Sequence, residues 1–199
     1  VPGVEESVDE LERHLDGGPH PVVRRVLQHL LTRLGDLARD ADNADALLEV
    51  AERASALFGR AVAGHPDPVS LARWVVGFRV EYGGWPSLTL EAVAHAFDEP
   101  AWDAYRAGVA TLGGDGPAAD PYPSEIDRML LELADHDGDV ERAVALLSGG
   151  DRPYYREIFR RLRDAGRPAD ILAWLDQAVT QHCVDVAWRA GPTIVPVED

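Results

Sequence analysis

From Pro21 to Ala41 the apolar residues Val22, Val23, Val26, Leu27, Leu30, Leu31, Leu34 and Leu37 return every three or four positions. That is the period of an α-helix with one buried face, and it excludes a strand, whose faces alternate every two residues. The same signature recurs along nearly the whole chain, and no segment alternates as a half-buried strand does. Glycine and proline stop each stretch before it grows long. The fold class this dictates is all-α.

Local signals place the helices. A helix over Glu5–Asp16 carries Val8, Leu11 and Leu15 and stops at Gly17, Gly18 and Pro19. Asp42 or Asn43 is placed to cap the next, whose apolar residues run from Leu47 through Phe58 to Val62 and end at Gly64. Asp67 before Pro68 is a strong start signal, a side-chain cap followed by proline at the first helical position. The helix it opens carries Leu71, Trp74, Val75, Phe78 and Tyr82, and Gly83, Gly84, Trp85 and Pro86 break it. Further helices are expected over 88–97, 100–112, 124–136, 139–147, 153–165 and 168–188, about ten in all. The domain organisation read from this pattern is a helical array over 1–112, a Gly/Pro-rich linker or loop over 113–123, helical hairpins over 124–190 and an extended tail over 191–199.

Composition narrows the function classes. With 46% hydrophobic and 27% charged residues the chain has an ordinary soluble composition. No apolar run approaches the roughly 18 residues needed to cross a bilayer, so no membrane partner is expected. The first residues lack the basic start and apolar core of a secretory signal. The chain does not begin with Met, which points to a trimmed or larger parent. A single cysteine, Cys183, has no internal disulfide partner, which suits a reducing compartment and the cytoplasm. All 19 basic residues are arginine, a bias expected of a GC-rich bacterial genome. Against 35 acids they leave a net charge of −16, which opposes binding to nucleic acid or an anionic surface.

Two stretches repeat. GDVERAVALL from Gly138 aligns with GRPADILAWL from Gly166 at an offset of 28 residues, pairing Ala143 with Ile171, Val144 with Leu172 and Leu147 with Leu175. Tyr155, Ile158, Leu162, Gly166, Leu175 and Ala178 follow the large–small spacing of a tetratricopeptide repeat, although that repeat is roughly 34 residues long. Phe159, Ile171 and Cys183 depart from it. A helical hairpin of this kind cannot bury its apolar face alone and stacks on its neighbours, so the expected architecture is TPR-like hairpins stacked as a short solenoid.

The segments PVSLARWVVGFRVEYGGWPSLTLEAVAHAFDEPAWDAYRAGV, DVERAVALLS and PYYREIFRRLRDAGRPADILAWLDQAV together resemble a bacterial helical-repeat family of unknown function, associated with proteins that carry SWIM-type zinc fingers. The resemblance covers roughly the last two-thirds of the chain and rests on helical pattern. It implies a TPR-like solenoid with an interaction role and supplies no catalytic residues. The zinc-finger cysteines are not in this chain, so it carries over no zinc.

Four groups of residues invite a chemical reading. Asp135, His136, Asp137 and Asp139 crowd around Gly138 and are suitable cation ligands. Set on an EF-hand frame with Gly138 at position 6, they supply positions 3 and 5, but Val144 takes the place of the bidentate Glu at 12. The His136–Asp137 pair is that of an HD phosphohydrolase, yet no other histidine forms a second ligand pair. A helix stop at Gly138 and a cap by Asp137 or Asp139 account for the cluster without a metal.

Between Asp151 and Arg167 six arginines face three acids. Arg156, Arg160, Arg163 and Arg167 step by four, three and four and so share one helix face. Such a stripe suits an acidic peptide or a phosphate, or forms a solvated face paired with the chain's own acids. Trp74, Phe78 and Tyr82 recur at core spacing, while Trp85 in its Gly-Pro break can plug the core or anchor a partner. Cys183 beside His182 is a weak nucleophile motif, because adjacent helical residues point about 100° apart.

The expected function is a protein–protein interaction or scaffold module with no catalytic residue, cofactor or metal. Its partner is another protein or peptide, with an acidic one suiting the arginine stripe, and its binding residues are Arg156, Arg160, Arg163, Arg167 and Trp85. The competing class is an all-α metal-dependent hydrolase built on the Asp135–Asp139 cluster.

Overall fold

The computed structural model describes residues 2–40, 47–112, 124–149 and 153–180. Among them are ten α-helices and no strand: α1 (Pro2–Leu15), α2 (Pro21–Asp40), α3 (Leu48–Ala61), α4 (Pro68–Glu81), α5 (Leu90–Val93), α6 (Glu99–Leu112), α7 (Glu125–Asp137), α8 (Val140–Ser148), α9 (Tyr155–Asp164) and α10 (Pro168–Thr180). The all-α expectation holds.

Starts are where local chemistry is clearest. Asp67 caps α4 by accepting from the Ser70 N–H at 3.0 Å, with Pro68 in the first turn. Asp139 caps α8 through the Arg142 N–H at 3.0 Å. The helix expected over 88–97 is shorter than its apolar pattern. Thr89 caps it, so α5 begins at Leu90, and it tightens into a 3-10 turn at Ala94–Ala96. α3 stops at Ala61, ahead of the expected Gly64. The proposed caps Asp42 and Asn43, the 113–123 linker, the end of the last helix beyond Thr180 and the 191–199 tail lie outside the described residues.

The chain divides into two compact units, and the division falls within α7, after Leu133. The first unit contains α1 to α6 and the start of α7. In it α1 and α2 pack on α3, and α4 packs on α6. Leu27, Leu31, Phe58, Val62, Val75, Tyr105, Val109 and Met129 are fully buried. An aromatic ladder runs through this core. Ring centroids lie 5.1 Å apart from Phe58 to Trp74, 4.9 Å from Trp74 to Phe78 and 5.0 Å from Phe78 to Tyr82. Each such pair contributes about 0.5–1.5 kcal/mol beyond its buried area. Tyr82 ends the ladder against α2, where a Cβ on Gly35 would overlap its ring. Its hydroxyl donates to Asp36 at 2.9 Å and the Arg39 guanidinium lies 4.5 Å from its ring centre.

The second unit contains the end of α7 with α8, α9 and α10. Successive helices pack, α8 on α9 and α9 on α10. Its core is small: Ala143, Leu147, Tyr155, Ile158 and Leu162, with Trp174 set edge-on to Tyr155 at 6.1 Å. The aligned turns are alike in detail. At the end of α7 the Asp139 N–H reaches back to the Ala134 carbonyl at 2.8 Å, and at the end of α9 the Arg167 N–H reaches the Leu162 carbonyl at 2.8 Å. Gly138 and Gly166 stand between at φ 68° and 69°, a left-handed conformation that glycine adopts without strain. The offset of 28 residues is thus a repeated helix stop.

Candidate interaction surface

The arginine-rich helix α9 is strongly amphipathic. Tyr155, Ile158 and Leu162 are buried, while Arg156, Arg160 and Arg163 are exposed. Its cations are mostly engaged by the unit's own acids. Arg160 donates twice to Glu157, at 3.2 and 2.9 Å. Arg163 pairs with Asp164 at 2.9 Å. Arg167 bonds Asp170 at 2.6 Å and also Glu141 of α8. Arg156 is exposed and makes no ion pair among the described residues. Arg156, Arg160 and Arg163 share a flank of α9, but the helix ends at Asp164 and Arg167 lies past the Gly166 turn, outside the helical stripe that its spacing predicts; Arg160, Arg163 and Arg167 already hold carboxylates.

The most firmly held cation of α9 is Arg161, which the four-residue stepping passes over. Its guanidinium binds Asp135 in bidentate fashion at 2.8 and 2.6 Å and Glu157 at 2.9 Å. Bidentate guanidinium–carboxylate geometry is the strongest of the common ion pairs. The Asp135 hydrogen bond comes first among the causes that raise the Arg161 pKa, acting against burial. Hydrogen bonds from Arg160, ahead of those from Arg161, hold the Glu157 carboxyl below its usual range.

These pairs bear on the acidic cluster. Asp135 is committed to Arg161 and Asp139 to the α8 cap. Among the described residues no group of three or more His, Cys, Asp or Glu side chains is arranged to hold a metal ion. Cys183 and His182 lie outside the described residues.

α8, α9 and α10 enclose an open groove of about 290 Å3. Val144, Ala145, Leu162, Ala173 and Trp174 form its apolar lining, and the Glu141–Arg167–Asp170 triplet forms its polar part. On another flank of α10, Leu172, Leu175 and Val179 are 64%, 42% and 65% exposed. Their spacing of three and four places them on one face.

In the first unit Trp85 is half-buried against the core. A buried polar centre lies in the same unit. Arg79 of α4 bonds Glu125 at 2.5 Å, Glu132 at 2.5 and 3.1 Å, and the Tyr105 hydroxyl at 3.4 Å. Glu132 also accepts the Leu90 N–H at the start of α5, at 2.9 Å. Burial lowers the Arg79 pKa, and the Glu132 and Glu125 carboxylates more than reverse it, so the net shift is upward. Burial likewise pushes the Tyr105 hydroxyl upward against the opposing pull of Arg79. The centre joins four helices, which makes it a clasp.

No protein-family model, no curated protein and no solved structure matches the chain. Among the described residues no helix is long and apolar enough to cross a membrane.

Proposed function

We propose that the chain is a protein-interaction or scaffold module, built from TPR-like helical hairpins stacked as a short solenoid. The observation that carries this reading is the outward face of α10, where Leu172, Leu175 and Val179 stand exposed together. Large apolar side chains gathered on one exposed face mark interaction surfaces more often than chance. The neighbouring groove, with Trp174 in its lining, adds a second contact area of the same chemistry. The partner is another protein or peptide. An acidic one would use Arg156 first, then Arg160, Arg163 and Arg167 by exchanging their internal carboxylates, and Trp85 would serve as an anchor in the first unit.

The test is recovery of a stoichiometric partner from the native host, followed by Leu172→Asp with Leu175→Asp and, separately, Arg160→Glu with Arg163→Glu. Loss of the partner with the first pair supports the reading. Loss with the second as well supports an acidic ligand. Recovery of no partner by the wild-type chain, or retention by both double variants, overturns it.

A further inference from the structure

α2 is the longest helix among the described residues, with 20 residues from Pro21 to Asp40. Its inner side is taken up by the core, where Val23, Leu27, Leu31 and Leu34 are buried. A helix half-sunk in a core normally turns a polar face outward. Here Val22, Val26 and Leu37 are 59%, 44% and 50% exposed. Between them stand Arg25, His29 and Arg33, all exposed. At about 100° per residue, Val22, Val26, His29, Arg33 and Leu37 fall within one sector about 80° wide. They form a single stripe along the helix.

The charge of this stripe runs against that of the chain. Acids outnumber bases 35 to 19 over the sequence, yet no acid is among the exposed residues of α2 whose side chains are described. Asp36, half-buried, accepts the Tyr82 hydroxyl at 2.9 Å, and Arg33 approaches it at 3.5 Å. Arg39 is turned to the Tyr82 ring and to Glu81. Arg25 pairs with no carboxylate among the described residues. Helix stability does not account for that placement. Arg25 stands near the N-terminal end, where the helix dipole favours acids, and the first turn carries none.

We propose that the outer face of α2 is a docking surface for an acidic amphipathic helix of another protein. The apolar residues of that helix cover Val22, Val26 and Leu37, and its carboxylates meet Arg25 and Arg33. The stripe from Val22 to Leu37 is roughly 22 Å long, the length of a helix of about 15 residues. Charge also selects a short segment over an extended polyanion. A bilayer or a nucleic-acid duplex presents its negative charge to the whole molecule, and the net charge of −16 opposes it. A short helix faces α2 alone. The surface belongs to the first unit and uses neither α10 nor the arginines of α9, so it stands or falls separately from them.

The test titrates the full chain into a labelled helical peptide of about 15 residues, with leucine at every third or fourth position and glutamate and alanine elsewhere. Two counterparts carry lysine for every glutamate, or serine for every leucine. Fluorescence anisotropy reads affinity, and amide NMR shifts read where the peptide lies. Saturable binding of the glutamate–leucine peptide with shifts centred on α2 is expected, and each counterpart should bind about tenfold more weakly or worse. Arg25→Glu with Arg33→Glu should lower the affinity by about tenfold or more, and Val26→Asp should lower it as well. These positions are exposed, so the variants should melt close to wild type. A variant that fails to fold is replaced by Arg25→Gln with Arg33→Gln, with the same direction of effect. The proposal fails if the glutamate–leucine peptide does not bind, if the lysine counterpart binds equally well, or if the arginine variants bind as wild type. Shifts centred on α10 overturn the α2 assignment while leaving the interaction reading in place. Self-association that moves the α2 amides makes a second copy the occupant and overturns it too, as does tighter binding of phosphatidylserine vesicles or duplex DNA to the same face.

Discussion

Arg79 and Arg161 do the same chemistry in different surroundings. Each guanidinium holds two carboxylates through short hydrogen bonds, and each is itself largely shielded. The acids differ. Glu125 and Glu132 of the first unit are 8% and 28% exposed, whereas Asp135 and Glu157 of the second are 44% and 42% exposed. Removing a cation strands its acids, and the penalty depends on whether water can reach them. The depth of the carboxylates, more than that of the arginine, decides what each centre is worth.

The largest effect expected from this contrast is at Arg79. Arg79→Met leaves Glu132 without its cation and the almost wholly buried Glu125 with Arg128 alone, at 2.6 Å, and should cost about 3 kcal/mol in denaturant unfolding. Restoring neutrality with Glu132→Gln in the same chain, which leaves Glu125 paired with Arg128, should recover a large part of that loss. A mild Arg79→Met phenotype would show that water enters the clasp and would erase the difference between the two centres.

Tyr105 probes the same clasp by pH. An unfolded tyrosine ionises near its ordinary value of 10.0, while burial keeps the folded Tyr105 hydroxyl protonated above it. A folded value raised in this way contributes stability that is fully present below pH 10 and lost as the pH rises through the folded value. Wild type should therefore lose stability with pH above 10 more steeply than Tyr105→Phe. Equal slopes would mean that the hydroxyl reaches solvent. Tyr82, also shifted upward by burial, is present in both chains and cancels in the comparison.

How much of this was legible in the sequence follows from distance along the chain. The Asp67–Pro68 start, the Asp139 cap and the glycine stops at 138 and 166 are local, and their chemistry is complete within five residues. The arginine flank of α9 was visible as a face, but not its occupants. The partners of Arg161 and Arg167 in α7 and α8 lie 26 positions away, and only packing chooses them. The clasp left a fainter mark. Arg79 continues the buried stripe of Ala72 and Val75, and Glu125 and Glu132 flank buried Met129 on the core side of α7. A charge on an apolar stripe signals a buried pair without saying which pair. Arg24, beside Val23 and Leu27, carries the same mark, and no acid is paired with it among the described residues.

The second unit should respond to the equivalent deletion with a smaller change. Arg161→Met removes the bidentate contact to Asp135, but both acids regain water, so the expected cost is about 1 kcal/mol and falls with added salt. A double-mutant cycle with Asp135→Asn isolates the pair. A coupling as large as that of the clasp would overturn the rule that carboxylate depth governs.

The smallest effect, and the sharpest on mechanism, is at Glu157, the second carboxylate that Arg161 holds. Arginine hydrogen bonds depress the folded Glu157 pKa below its ordinary value of 4.5. A depressed carboxyl contributes stability that is present above its unfolded value and disappears as the pH falls through the folded one. Glu157→Gln should therefore flatten the stability profile below about pH 4.5 and leave it nearly unchanged at neutral pH, because exposed pairs are worth little there. Arg160→Gln should flatten it more than Arg161→Gln, since the Arg160 hydrogen bond is the larger cause of the shift. The reverse order would make the shielded arginine the dominant partner even of an exposed acid, and depth of the cation would then matter after all.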